Sequence, residues 1–187
     1  MAKEQKGSNV LELLRVLDDK LEEISRHVVS NIKESTEFQD EMFEDPCVFS
    51  NIDDRPRKLW GKKGIYVFEI TQDVPLTREQ VRRWSEFCKG AGFNDWFQGD
   101  LKAGDILYVG SCINESLYVR VRQHFLNETT ATSLQLGNPA RRMLYNSVRV
   151  YAYPIKKGYE AYYRYIIPQI EKKLHESLKP KAGSSRV

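Results

Sequence analysis

Two short runs of β-branched and aromatic residues constrain the fold of this chain more than any other feature. The first is Gly64-Ile65-Tyr66-Val67-Phe68-Glu69-Ile70, and the second is Ile106-Leu107-Tyr108-Val109-Gly110. Neither contains proline, and their composition is that of strands in a sheet. A third run, Ser147–Tyr153, alternates as a half-buried strand should. Helical spacing fills the gaps between them. Thr77 to about Cys88 reads as a helix, with Thr77 as N-cap, Gln80 three residues on, and Val81, Trp84 and Phe87 on one face. Glu115–Leu126 reads as a second helix after a turn over Gly110–Asn114. Arg141–Leu144 reads as a single helical turn. Tyr159–Leu178 reads as one helix or two, interrupted at Pro168, which lacks the amide proton that a helix interior uses. The order β-helix-β-helix-β-helix predicts an α+β (or α/β) domain around a small central sheet.

The N-terminal third has a different character. Residues 1–7 are polar and are expected to be disordered. Val10, Leu13, Leu14, Leu17, Leu21, Ile24, Val28 and Ile32 then recur mostly at spacings of three and four. This predicts an amphipathic helix over Ser8–Glu34, with docking on the body or homodimerisation as its expected uses. His27 on this helix reads as solvated or capping. Ser35–Asp54 is acidic and irregular and reads as a solvated connector. The division is therefore an acidic arm and linker, 1–54, and a body, 55–187.

Charge follows the same division. Residues 1–54 hold 6 Lys+Arg and 14 Asp+Glu, a net −8, and residues 55–187 hold 23 and 12, a net +11. A basic body points to a polyanionic partner, with simple surface solubility as the bland alternative. The densest basic stretch is Arg55, Arg57, Lys58, Lys62 and Lys63, set around Trp60. It suits a nucleic-acid backbone with a base stacked nearby, or equally a tryptophan lid in a charged loop. The 41% hydrophobic content allows a packed core. No run of about 20 apolar residues predicts a membrane span, and the polar start carries no apolar signal-peptide segment, so a cytoplasmic protein is expected. Cys47, Cys88 and Cys112 show neither zinc spacing nor a disulfide framework and read as reduced thiols. GxGxxG, P-loop, HExxH and serine-elbow patterns are absent.

Chemistry has few candidate carriers. Tyr66 lies mid-strand and Tyr108 near a strand end, each two residues from a glycine, and paired strands would put them on a shared face. Buried tyrosines are most often core residues with the hydroxyl tied off. Arg120 and His124 are four apart and share a helix face, offering a planar fork for phosphate oxygens and a group that can pass a proton near neutral pH. Arg122 points elsewhere and reads as solvated or backbone-binding. Glu171 on the last helix reads as a surface carboxylate or, facing a basic site, as the holder of one hard cation with waters completing the shell. His175, one turn later, reads as packed or solvated.

Gly64-Ile65-Tyr66, Tyr108-Val109-Gly110, Arg120, His124, and Glu171 nine residues before Pro180 in Leu178-Lys179-Pro180 together resemble the GIY-YIG nuclease family, over about residues 61–183. The Arg-x-x-x-His form is most similar to its restriction-enzyme-like branch, with the phage and mobile-element branches next. The resemblance implies a three-stranded antiparallel sheet flanked by helices and Mg²⁺-dependent cleavage of DNA, with Mn²⁺ as a substitute metal. It implies that Tyr66 acts as general base or orients the water, and that His124 takes a proton from Tyr66. Tyr108 and Arg120 would hold the scissile phosphate, and Glu171 would be the lone protein ligand to the metal. Three departures accompany it. Residues 71–104 lengthen the separation of the two tyrosines and read as an insert. Gly183 stands where the family usually carries Asn. No separate DNA-reading domain is visible. The alternatives are a catalytically weak or inactive nucleic-acid-binding module of the same fold, and an interaction protein that works through its arm.

Overall fold

The computed structural model describes residues 19–23, 26, 42–54, 56–90, 99–126, 133–139, 141–159 and 163–183. Seven elements follow in chain order: β1 (Cys47–Phe49), β2 (Gly64–Ile70), α1 (Arg78–Gly90), β3 (Ile106–Cys112), α2 (Leu117–Phe125), β4 (Val148–Pro154) and α3 (Tyr163–Leu178), with short 3-10 turns between them. The fold is α+β. Residues 1–18 and 184–187, most of the arm helix, His27, Arg55 and the 91–98 and 127–132 loop segments lie outside the described residues. Within the arm, residues 19–23 are helical, and Leu21 is buried against the core that α3 covers.

The sheet has four antiparallel strands in the order β1-β4-β2-β3, not the expected three. The added strand is β1, which pairs Cys47 with Ala152 and Phe49 with Val150. Its three residues are too few to show alternation inside an acidic stretch, so the expected connector 35–54 hides this edge strand at Cys47–Phe49. β1 lies on the arm's side of the division at residue 54, yet it pairs within the sheet of the body. β2 is central. It pairs with β3 (Tyr66 opposite Gly110, Phe68 opposite Tyr108) and with β4 (Tyr66 opposite Ala152). β3 runs on through Gly110 to Cys112, where a turn was expected.

Alternation along the strands sorts the core into two layers, because successive side chains point to opposite faces. Tyr66, Phe68, Ile70, Tyr108 and Val150 join Leu117, Val121 and Phe125 of α2 and Trp84 of α1. Ile65, Val67, Val109, Tyr151 and Tyr153 join Ile167, Ile170 and Leu174 of α3. The expected cap of α1 is present: the Thr77 amide donates to Gln80 Oε1 at 2.8 Å and the Gln80 amide donates to Thr77 Oγ1 at 3.2 Å. The insert 71–104 is closed at its base by an antiparallel bridge between Val74 and Leu101.

Pro168 does not interrupt α3, which is one helix from Tyr163 to Leu178. The proline sits in the second turn, where it removes one hydrogen bond, while Ile167, Ile170 and Leu174 around it are fully buried. Burial of such side chains, at about 1.5–3 kcal/mol each, outweighs a penalty of about 3 kcal/mol for a helical proline. Among the described residues no helix is long and apolar enough to cross a membrane.

Candidate active site

Four of the five residues singled out for chemistry gather in one cluster: His124 and Arg120 meet the Tyr66 phenol oxygen, and Tyr108 stacks beside that ring. β2 projects Tyr66 toward α2, and α2 turns Arg120 and His124 back toward the sheet. Ser116 starts this helix by accepting the Val119 amide on its side chain, which fixes the helix phase. His124 Nε2 lies 3.0 Å from Tyr66 Oη, and Arg120 Nε–H donates to the same oxygen at 3.3 Å. Tyr108 stacks beside Tyr66, with centroids 6.1 Å apart and planes inclined at 20°, and its ring centroid is 4.7 Å from that of His124. Tyr66 and His124 are 0% exposed, whereas Tyr108, Arg120 and Glu171 keep 7%, 6% and 7%. The outward edge of the cluster is thus made by the last three.

The hydrogen bonds fix the histidine tautomer. The Leu134 amide donates to His124 Nδ1 at 3.0 Å, so that nitrogen carries no proton. Burial, and then the nearby Arg120 charge, hold the imidazole pKa well below its usual value, so the ring is neutral. Its single proton therefore sits on Nε2 and is donated to Tyr66. This geometry runs against the role implied by the resemblance, in which His124 takes a proton from Tyr66: the nitrogen facing the phenol is a donor. Tyr66 Oη accepts two N–H groups, which leaves its own proton for a third partner. Burial and the neighbouring Tyr108 push the Tyr66 phenol well above its ordinary pKa, opposed by Arg120, so it is a neutral phenol at rest.

Glu171 approaches from the other layer. It lies on α3 and accepts a 2.5 Å hydrogen bond from Ser111 Oγ, whose partner across the sheet is Ile65 on the α3 face. The two halves meet around Gly110 on the edge strand β3. A Cβ at Gly110 would lie 2.5 Å from Tyr66 Oη and 2.7 Å from Tyr108 Cε1, so only glycine permits this approach. The Glu171 carboxylate is near enough to contribute to raising the Tyr66 phenol. His175 is packed, as expected: its Nε2–H donates to the Val109 carbonyl at 3.2 Å.

Gly183 has a structural reason. Lys181 and Ala182 donate their amides to the Ile106 and Leu107 carbonyls, which lays the tail along β3. Gly183 then sits at φ +101, where a Cβ would be 2.9 Å from Tyr108 Cε2. An Asn here would displace Tyr108.

The other singled-out residues are placed as follows. Arg57 and Lys58 are exposed, as is Arg122 on α2. Lys62 is tied to Glu44 at 2.5 Å and Lys63 donates to the Glu115 carbonyl at 2.6 Å, so both are partly engaged within the protein. Burial pushes the Cys112 thiol up to about 11, which makes it unreactive. Sequence reasoning missed three contributors: Ser111, the Leu134 amide, and the Gln123–Glu115 pair that holds Arg120. In that pair Arg120 Nη1 donates to Gln123 Oε1 at 2.9 Å, and Gln123 Nε2 donates to Glu115 Oε2 at 2.9 Å. The signal for the last was the i,i+3 spacing of Arg120 and Gln123; for the Leu134 amide it was only the apolar Leu134 and Leu136 within a polar loop. No family model, curated protein or solved structure matches the chain.

Proposed function

We propose that the protein is an Mg²⁺-dependent endonuclease of the GIY-YIG kind that hydrolyses phosphodiester bonds in DNA. The observation that carries this is the meeting of Arg120 and His124 on the Tyr66 phenol oxygen, with Tyr108 stacked beside it and Glu171 brought to the same edge strand. Arg120 supplies fixed positive charge for the phosphate oxygens, held in orientation by Gln123 and Tyr66. Charge placed in advance where the transition state gains it is the largest single source of catalysis in such sites. Tyr66, anchored by two N–H donors, presents its hydroxyl to orient the attacking water. His124 keeps the phenol in place as a donor.

The donor set fits a hard cation held by one carboxylate and completed by water and substrate phosphate, the usual habit of Mg²⁺. Glu171 would hold it, and Ser111 orients that carboxylate. When bound, the ion supplies charge relief at the reacting phosphate. Among the described residues no group of three His, Cys, Asp or Glu gathers to form an all-protein cage.

The complete burial of Tyr66 and His124 favours a second reading, a catalytically weak or inactive nucleic-acid-binding module in which the pair is core. Incubation with supercoiled plasmid separates the two. The nuclease nicks with Mg²⁺ or Mn²⁺, stops with a chelator, and loses activity in Glu171→Ala. Salt-dependent DNA binding without cleavage in either metal supports the binding module, and cleavage that persists in Glu171→Ala sinks the proposed metal role.

A further inference from the structure

Helix α2 has a second face that the catalytic cluster does not use. Arg120 and His124 point inward, while Tyr118 and Arg122, also four apart, line a separate cleft of about 360 Å³. Trp60 forms one wall, with its ring centroid 5.5 Å from that of Tyr118 and the planes inclined at 48°. Its indole is 56% exposed, the most of any large hydrophobic side chain among the described residues. This is no lid over the core. It is an aromatic surface turned to solvent, which costs free energy unless something covers it. The turn that carries it is fixed, because the Leu117 amide at the start of α2 donates to the Lys62 carbonyl at 2.8 Å.

The rest of the cleft has complementary chemistry. Ile52 and Tyr145 form its floor, and the exposed Asp53 and Arg122 form its rim. An indole face takes any base by stacking. A carboxylate accepts hydrogen bonds from the amino groups on a base's pairing edge, which is free only when the base is unpaired. A guanidinium takes the adjoining phosphate. Arg122 and Arg120 leave the same nine-residue helix two residues apart, on opposite sides of it, so the cleft and the Tyr66 cluster are separated by about the width of one helix, roughly 10–12 Å.

Building on the nuclease reading above, we propose that this cleft receives one unpaired base of the bound DNA strand, stacked on Trp60, with its phosphate at Arg122. The site would then recognise DNA with an extruded or single-stranded nucleotide near the scissile bond, in preference to uninterrupted duplex.

The test uses the full chain, Ca²⁺ in place of Mg²⁺ to suppress cleavage, and two duplexes that differ by one extrahelical 2-aminopurine. Wild type is expected to bind the bulged duplex more tightly and to quench its 2-aminopurine fluorescence. Trp60→Ala should weaken that binding roughly five- to hundredfold and abolish the quench, as loss of one base–aromatic stack implies. Trp60→Phe should restore part of both, and the plain duplex should be indifferent to either change. Binding of the bulged duplex that is unaltered in Trp60→Ala overturns the cleft proposal and leaves the nuclease reading standing. Binding of neither duplex by wild type overturns both. Competition by free 2-aminopurine deoxynucleoside monophosphate as strong as by the bulged duplex assigns the cleft to free nucleotides and overturns the strand proposal.

Discussion

Gly110→Ala is the sharpest probe of how the cluster is assembled. The added methyl would meet Tyr66 Oη at 2.5 Å, Tyr66 Cζ at 2.6 Å and Tyr108 Cε1 at 2.7 Å. Neither ring is a flexible end that can swing aside, since Tyr66 is fully buried and Tyr108 lies against Gly183. Overpacking of this kind costs roughly 1–3 kcal/mol. Pushing the phenol away from His124 and Arg120 loses two hydrogen bonds, for about another 1–3 kcal/mol. The sum of about 2–6 kcal/mol is a large part of the roughly 5–15 kcal/mol that holds a domain folded. In urea unfolding, the variant should show a midpoint far below wild type with a similar slope. Gly158→Ala, at a glycine with nothing within 4 Å of the added atom, should unfold like wild type. A Gly110→Ala midpoint equal to that of Gly158→Ala would refute the close approach of β3 to Tyr66.

The remaining predictions concern charge, packing and polar satisfaction. His124 and His175 both have lowered folded pKa values, with burial as the leading cause, so below about pH 6.5 the unfolded chain binds protons that the folded one refuses. Stability should be fully present above about pH 6.5 and fall as pH drops, by up to about 1.4 kcal/mol per pH unit for each site; urea midpoints at pH 7.5 and 5.5 measure this, His124→Gln should flatten part of the slope, and a flat wild-type profile would contradict it. Gly183→Asn should destabilise by roughly 1–3 kcal/mol through its positive φ and its clash with Tyr108, measured by thermal melting. Tyr66→Phe leaves His124 Nε2–H and Arg120 Nε–H facing a carbon and should cost about 1–3 kcal/mol in the same assay.

Three of the four strands were legible because β-branched and aromatic residues gather in proline-free runs at Gly64–Ile70 and Ile106–Gly110 and alternate over Ser147–Tyr153. β1 was not, because its pairing with β4 is a backbone matter and Cys-Val-Phe is too short to show a pattern. The i,i+4 spacing of Arg120 and His124 was enough to place both on one face. Their common target was readable only once Tyr66 was assigned to a strand that α2 covers. The proton on His124 was not readable at all, since it is set by the Leu134 amide, and a main-chain donor leaves no mark in the sequence. Ser111 was hidden for a related reason: its role depends on which face of β3 meets α3. Pro168 misled because a local rule about helix interiors yields to three fully buried neighbours.

The central claim is that the Tyr66-centred cluster cleaves DNA, and single-turnover nicking of supercoiled plasmid with Mg²⁺ tests it most directly. Wild type and Tyr66→Phe are compared at a temperature where both are shown to be folded. The proposed site predicts a rate drop of about 10²–10³-fold in Tyr66→Phe, the scale for losing one transition-state contact. Equal rates in the two folded proteins would contradict it.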